Sequence, residues 1–207
     1  MTLQILNKYF LIINLLSFCL FTIDFVRFIQ SGNGLKLHWV CDLVTVLGGS
    51  IGALAAFILW DRKIVKSNIT WRVFAFCMLI IHIVTYLFIL HLLNDEIKLA
   101  EITSIVAIID AFLKKNKVLW YYLLTLNIIT FVAFVADKIR AIEGRWRIRE
   151  LLLLGLSLIG GSIGGWIAMY TIRHKIHSPQ FSFGVPFILF TQLIVMVYWF
   201  ISQVFVK

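Results

Sequence analysis

The side chains best suited to chemistry in this chain fall into a few groups, and most of the groups occur twice. Asp137, Lys138 and Arg140 stand together, and Arg173, His174 and Lys175 form a second basic stretch further on. An Asp three residues before an Arg is within its reach on a helix, and Asp24 with Arg27 repeats that spacing. Arginine carries a planar fork of donors that matches a carboxylate or phosphate, so these residue types point to capture of an anion. Asn14 and Asn127 precede the two acids by the same interval, each inside an apolar run. Such a polar group seldom faces lipid; it bonds a neighbouring helix or contacts a substrate. Gly48, Gly49 and Gly52 are echoed by Gly160, Gly161 and Gly164. Small residues at this spacing let helices approach closely, or they mark a helix break whose free amides meet an ion.

Catalytic chemistry is less well supplied. His174 and His177 are the acid–base candidates, and His82 and His91 lack metal-ligand spacing. There is no serine elbow, no paired carboxylates within an apolar run and no His-rich cluster. The sequence therefore leans away from an enzyme, and no cofactor or metal is expected. Cys19, Cys41 and Cys77 lie in apolar stretches and read as small fillers.

The elements that hold these residues are set by composition. Of 207 residues 61% are apolar and only 14% charged, and the mean hydropathy is +0.97. Soluble domains carry roughly 45–50% apolar and about 25% charged residues, so lipid is the expected solvent. A span needs about 20 mostly apolar residues. Six stretches qualify: Tyr9–Ile29, His38–Trp60, Val73–Leu93, Val118–Ala136, Leu151–Ile172 and Gly184–Val206. The first has only Lys8 before it and no small-x-small site after it, so it reads as a retained span rather than a cleaved signal. The net charge of +9 fits basic loops beside anionic head groups, and no nucleic-acid module is recognisable.

The segments fall into two copies. Asn14, Phe18, Phe21, Asp24 and Arg27 align with Asn127, Phe131, Phe134, Asp137 and Arg140; with one gap, the Gly-Gly-Ser-Ile-Gly runs also align. The expected organisation is a first membrane repeat over 1–93, an amphipathic linker over 94–117 and a second repeat over 118–207. In the linker Ile102, Ile105, Ile109 and Phe112 recur at helical spacing, with Asp95, Glu96, Glu101 and Asp110 elsewhere on the wheel.

The second copy resembles the small bacterial membrane proteins catalogued as domain of unknown function 1294. The resemblance rests on Asn127, on Asp137-Lys138-x-Arg140, on Arg147-Ile148-Arg149-Glu150, on Gly160-Gly161-Ser162-x-Gly164, on Arg173-His174-Lys175, and on Phe181 or Phe183. It covers about Tyr121–Tyr198, and Leu11–Leu90 looks like a degenerate copy. The family tends to have Pro where this chain has Ile163 and Ile51. The first copy shows Asp61-Arg62-Lys63 in place of the Arg-His-Lys triplet, and Phe25 in place of Lys138. The family label implies no activity.

Two topologies remain, of which six spans is the preferred one. In one, all six segments span, and the fold is an all-α integral membrane bundle of two three-segment repeats. In the other, each Gly-rich second segment is re-entrant and leaves on the side it entered. Length favours the first, because His38–Trp60 and Leu151–Ile172 would each reach about 33 Å as straight helices at about 1.5 Å per residue. Charge favours the second: six spans divide Lys and Arg nearly evenly, whereas hairpins put them roughly two to one on one side. Only the hairpin topology lets Arg145–Arg149 and Arg173–Lys175 converge.

The leading expectation is a multi-pass protein of the bacterial cytoplasmic (inner) membrane that binds or conducts a small or lipid-borne anion where the two repeats meet. Its expected ligand residues are Asn14, Asp24, Arg27, Asn127, Asp137, Lys138, Arg140, Arg173, His174 and Lys175. Its expected partners are anionic lipids and not nucleic acid, and a homo-oligomer is compatible with this reading. A membrane accessory protein without transport and a head-group-modifying enzyme using His174 are the alternatives.

Overall fold

The computed structural model describes residues 2–31, 38–61, 66–94 and 105–205. These residues form helices and no strand. Six helical segments are long and apolar enough to cross a membrane: Leu3–Gln30, Trp39–Leu59, Asn68–His91, Lys117–Ile142, Glu150–Thr171 and Pro179–Gln203.

The chain divides into two compact units, Met1–Ile83 and Val84–Lys207. In the first, α1 (Thr2–Ser31) carries along its side a broken segment made of α2 (His38–Val44), a wide turn Thr45–Gly49, and α3 (Ser50–Leu59). The helix α4 (Lys66–Asn94) follows, its first part in this unit and its last part, from Val84, in the second. In the second, α6 (Lys117–Ile142) carries α7 (Glu150–Leu156), a wide turn Ser157–Gly161 and α8 (Ser162–Thr171). The short α9 (Pro179–Ser182) then leads into α10 (Gly184–Phe205). Of the expected linker, 95–104 lies outside the described residues; the remainder includes α5 (Ile105–Lys115). There Phe112 is buried, edge-on to Phe200 and Trp120, while Asp110 pairs with Lys114 at 2.6 Å on the exposed side.

The two broken segments are not straight rods. Gly160 has φ 138° and Gly48 has φ 128°, a backbone region that side chains with a Cβ avoid. At Gly160 the helix reverses. Glu150 opens α7 and Lys175 follows the end of α8, yet their charged groups are 3.7 Å apart. The 22-residue segment Glu150–Thr171 would separate its ends by about 33 Å if straight. The first unit folds back likewise. Leu47 at its turn meets Tyr9 of α1. Trp60, beyond the end of α3, bonds Thr22 and stacks on Phe25, and α2 also packs on α1.

Close packing fixes each turn against its long helix. A Cβ on Gly164 would overlap the backbone carbonyl of Asn127, and one on Gly52 would overlap that of Asn14. Here the glycines serve close approach, as small residues do where helices touch.

Candidate functional site

A helix break strands backbone amides and carbonyls that lipid cannot satisfy. In the second unit nearby side chains meet that demand. The Asn127 carboxamide accepts from Gly164 N at 2.6 Å and donates to Gly160 O at 3.0 Å. Tyr122 donates to Ile159 O at 2.8 Å. Gln192 of α10 donates to Ser157 O at 2.8 Å and Leu158 O at 2.9 Å, and accepts from the Ser162 hydroxyl.

The first unit repeats the pattern with partly different residues. Asn14 accepts from Gly52 N at 3.0 Å, and Tyr9 donates to Leu47 O at 2.5 Å. His82 replaces the glutamine, with Nε2 2.9 Å from Val46 O and Nδ1 2.9 Å from the Ser50 hydroxyl. A carbonyl can only accept, so Nε2 carries the proton it gives to Val46 O, while Nδ1 meets the Ser50 hydroxyl. The imidazole thus spans a turn carbonyl and a serine hydroxyl, as the carboxamide does. Asn14 and Asn127 therefore hold the turns of their own units. The amide of Gly164 and the turn carbonyls of the second unit are engaged by protein side chains, not left open to an ion.

The chemistry-bearing residues gather at the other end of the second hairpin. Asp137 is 0% exposed, on the last turns of α6. Its Oδ1 accepts from the backbone amide of Ile148 at 2.8 Å, and its Oδ2 from His174 Nε2 at 2.8 Å. Lys175 Nζ is 3.2 Å from the same oxygen and 3.7 Å from Glu150, which accepts from Gln180 at 3.0 Å. The ammonium also sits over the Phe181 ring, 4.4 Å from its centre, and Phe181 packs edge-on to Phe134. Two carboxylates and two basic groups thus close on one another, which is how charges survive burial.

Local backbone geometry delivers these groups. Past α6, Arg145 N bonds Arg140 O at 2.9 Å across Gly144 at φ 69°, the left-handed helix stop that glycine favours. Past α8, His174 N bonds Met169 O at 3.1 Å across Arg173 at φ 47°. That is the same stop with an arginine in the glycine position, at a cost of order 1 kcal/mol. Lys175 is also left-handed, at φ 59°. Neighbouring residues of an extended strand point to opposite faces; these two left-handed residues let His174 and Lys175 both reach Asp137.

Around this knot lies an exposed basic rim. Arg147 and Arg149 flank Ile148, Arg173 precedes His174, and Arg140 lies one turn beyond Asp137; all four are exposed. Among the described residues none of the four has an ion-pair partner, whereas Arg145 pairs with Glu143 at 3.1 Å. Trp146, in the middle of the loop, is 95% exposed. Lys138 is half-buried, and His177 is exposed.

The spacing-based pairing of Asp137 with Arg140 is not formed, because His174, Lys175 and Ile148 N take the carboxylate. Asp24 is half-buried and Arg27 exposed on α1, each with neighbours that engage it. Arg62 and Lys63 lie outside the described residues. Sequence reading assigns no role to Gln180, Gln192, Tyr9 and Tyr122; it offers Glu150 only within the family motif and His82 only as a histidine without metal-ligand spacing. The tyrosines had a usable signal, since each precedes its asparagine by the same interval. His82 and Gln192 are of different types and gave none.

The structure thus defines a class of helical protein with six segments of membrane-crossing length, in which a folded-back Gly-rich segment is tied at its base by a buried ionic knot. Residues 127–181 match the family described as Protein of unknown function (DUF1294). The chain is 36% identical over 73 residues to Uncharacterized protein YsdA of Bacillus subtilis (strain 168), an overlap of 35% of this chain and 82% of that relative. The chain belongs to this family. No solved structure matches it. The family match runs from the asparagine at the turn to the phenylalanine beneath Lys175, and so takes in the whole hairpin and both basic loops.

Proposed function

We propose that the chain is a polytopic protein of the bacterial cytoplasmic membrane, formed by tandem duplication, whose second unit binds an anionic group at the base of its hairpin. In this reading each Gly-rich segment is re-entrant, each unit has two true spans, and both basic loops of a unit share one face, the cytoplasmic one.

One observation carries the reading: Ile148 of one basic loop and His174 of the next both bond Asp137. Loops at opposite ends of a straight span could not do so. The positive-inside bias supports the same arrangement. The recurrence of the Asn–Gly, Tyr–carbonyl and Ser50–His82 or Ser162–Gln192 contacts supports duplication. Because the buried charges are matched among themselves, the exposed arginines are the cations left for a ligand. An exposed Trp146 among arginines suits the head-group layer, where aromatic rings and basic side chains concentrate. Binding fits these features better than conduction, since the polar groups at the turn are engaged by protein.

The test is partition of the purified protein between phosphatidylcholine and phosphatidylglycerol, read by native mass spectrometry of retained lipid. The reading expects selective retention of phosphatidylglycerol, lost when Arg147, Arg149 and Arg173 are replaced together by Gln. Equal retention of both lipids by the unaltered protein, together with no binding of inorganic phosphate, would refute it.

A further inference from the structure

We infer that His174 is the ligand-facing residue of this site and takes a phosphate oxygen on its Nδ1. The inference rests on the anion-binding reading above and adds the ligand class and the contact atom.

Accounting for donors leads to His174. Lys175 is consumed: its ammonium is shared between Asp137 and Glu150, covers Phe181, and is 8% exposed. In His174, Nε2 is committed to Asp137 at 2.8 Å. Nδ1 has no hydrogen-bond partner among the described residues, and it is not one of the buried, unpartnered atoms. The side chain is 11% exposed. One ring nitrogen is thus fixed from below by a fully buried carboxylate while the other remains at the surface. As an imidazolium, the ring donates from both nitrogens, so Asp137 positions a second N–H for an incoming anion.

The neighbouring chemistry selects phosphate. Arg173 adjoins His174 in the chain, and Arg149 adjoins the Ile148 amide that binds the same carboxylate. A guanidinium presents two parallel donors matched to a pair of phosphate oxygens. The imidazolium supplies a single donor for a further oxygen. A tetrahedral oxyanion offers separate oxygens to donors that approach from different directions, whereas the oxygens of a carboxylate lie in one plane. The phosphate is either lipid-borne or free, and the experiment separates these sources.

The experiment uses the full chain in dodecyl maltoside, which carries no phosphate, with inorganic phosphate and short-chain phosphatidylglycerol as separate probes. Gln at 174 places its amide nitrogen near the position of Nε2, so H174Q keeps a donor to Asp137 and loses Nδ1. Expected results are wild-type thermal stability in H174Q with a roughly tenfold or greater loss of affinity, the scale of one charge-assisted hydrogen bond. In the 15N-histidine-labelled unaltered protein, either probe should shift the His174 Nδ1 resonance more than Nε2. The probe that does so identifies the source. Unchanged affinity in H174Q overturns the inference. If H174Q does not fold, the NMR decides alone, and absence of a selective Nδ1 shift on saturation overturns it. If R149Q/R173Q abolishes binding while H174Q retains it, this inference fails and the anion surface stands. If the unaltered protein binds neither probe, both fail.

Discussion

Glu150 and Lys175 stand 3.7 Å apart across the mouth of a helical segment that leads away from the first and returns to the second. The pair marks where the hairpin closes. Asp137 stands beside it on α6 and binds the loops on either side of the hairpin. The consequences concern what holds the turn, what holds the base, and what the base presents.

At the turn, glycines differ sharply in what they tolerate. Gly164→Ala drives a methyl group into the Asn127 carbonyl, and Gly160→Ala adds a left-handed backbone to a close approach to Leu123. Each should destabilise by about 2–4 kcal/mol, the range of overpacking combined with backbone strain. Gly155 has no atom near its would-be Cβ, so Gly155→Ala should be neutral or slightly stabilising, as Ala for Gly in a helix is. Thermal unfolding in detergent, followed by tryptophan fluorescence, ranks the three.

The Asn127 carboxamide satisfies an amide and two carbonyls, those of Leu123 and Gly160. Asn127→Asp keeps the acceptor for Gly164 N and loses both donations. Asn127→Ala loses everything. Both should lower stability, with Ala costing about 2–4 kcal/mol through stranded backbone groups in a poorly hydrated setting. Denaturation in mixed micelles measures the order; an Asn127→Ala protein as stable as the unaltered one would show the turn is held otherwise.

His82 does the work of a glutamine in the first unit. His82→Gln should therefore retain stability, because the amide can donate to Val46 O and accept from Ser50 just as Gln192 serves Ser162 and the turn carbonyls. His82→Leu should cost about 1–3 kcal/mol for the unmet polar groups. Unfolding midpoints of the two variants, measured side by side, test this. Equal losses would rule out the substitution logic.

Asp137 holds the base. Asp137→Asn removes the carboxylate charge that His174 and Lys175 share and should cost about 3–5 kcal/mol, as breaking one side of a buried pair does. Lys175→Met should cost less in that background than in the unaltered protein, since its contact with the Asp137 carboxylate is already weakened there. Double-mutant analysis of unfolding free energies reads the coupling; strict additivity would mean the two residues do not interact.

Much of the site was legible because its residue types are uncommon inside apolar sequence. Asn127, Asp137, His174 and Lys175 stand out from their surroundings, and the Gly run is rare enough to align the two halves of the chain by eye. The reversal was not legible from length, because Glu150–Thr171 has the residue count of a straight span and only the left-handed geometry at Gly160 changes its path. The distribution of basic loops carried that information weakly, through the preference of Lys and Arg for one side. Glu150 was hidden as the end of a basic stretch, although its role depends on a lysine brought back by the fold. Tyr9 and Tyr122 were hidden among residues that ordinarily line a membrane boundary.

A re-entrant hairpin in the second unit requires its two basic loops to lie on one face of the membrane. With Cys19, Cys41 and Cys77 replaced, single cysteines in the Glu143–Arg149 and Ile172–Ser178 loops can be exposed to an impermeant maleimide in right-side-out and inverted vesicles. With both loops cytoplasmic, both positions should label only in inverted vesicles. Labelling of one loop in each vesicle type would place the loops on opposite sides and contradict it.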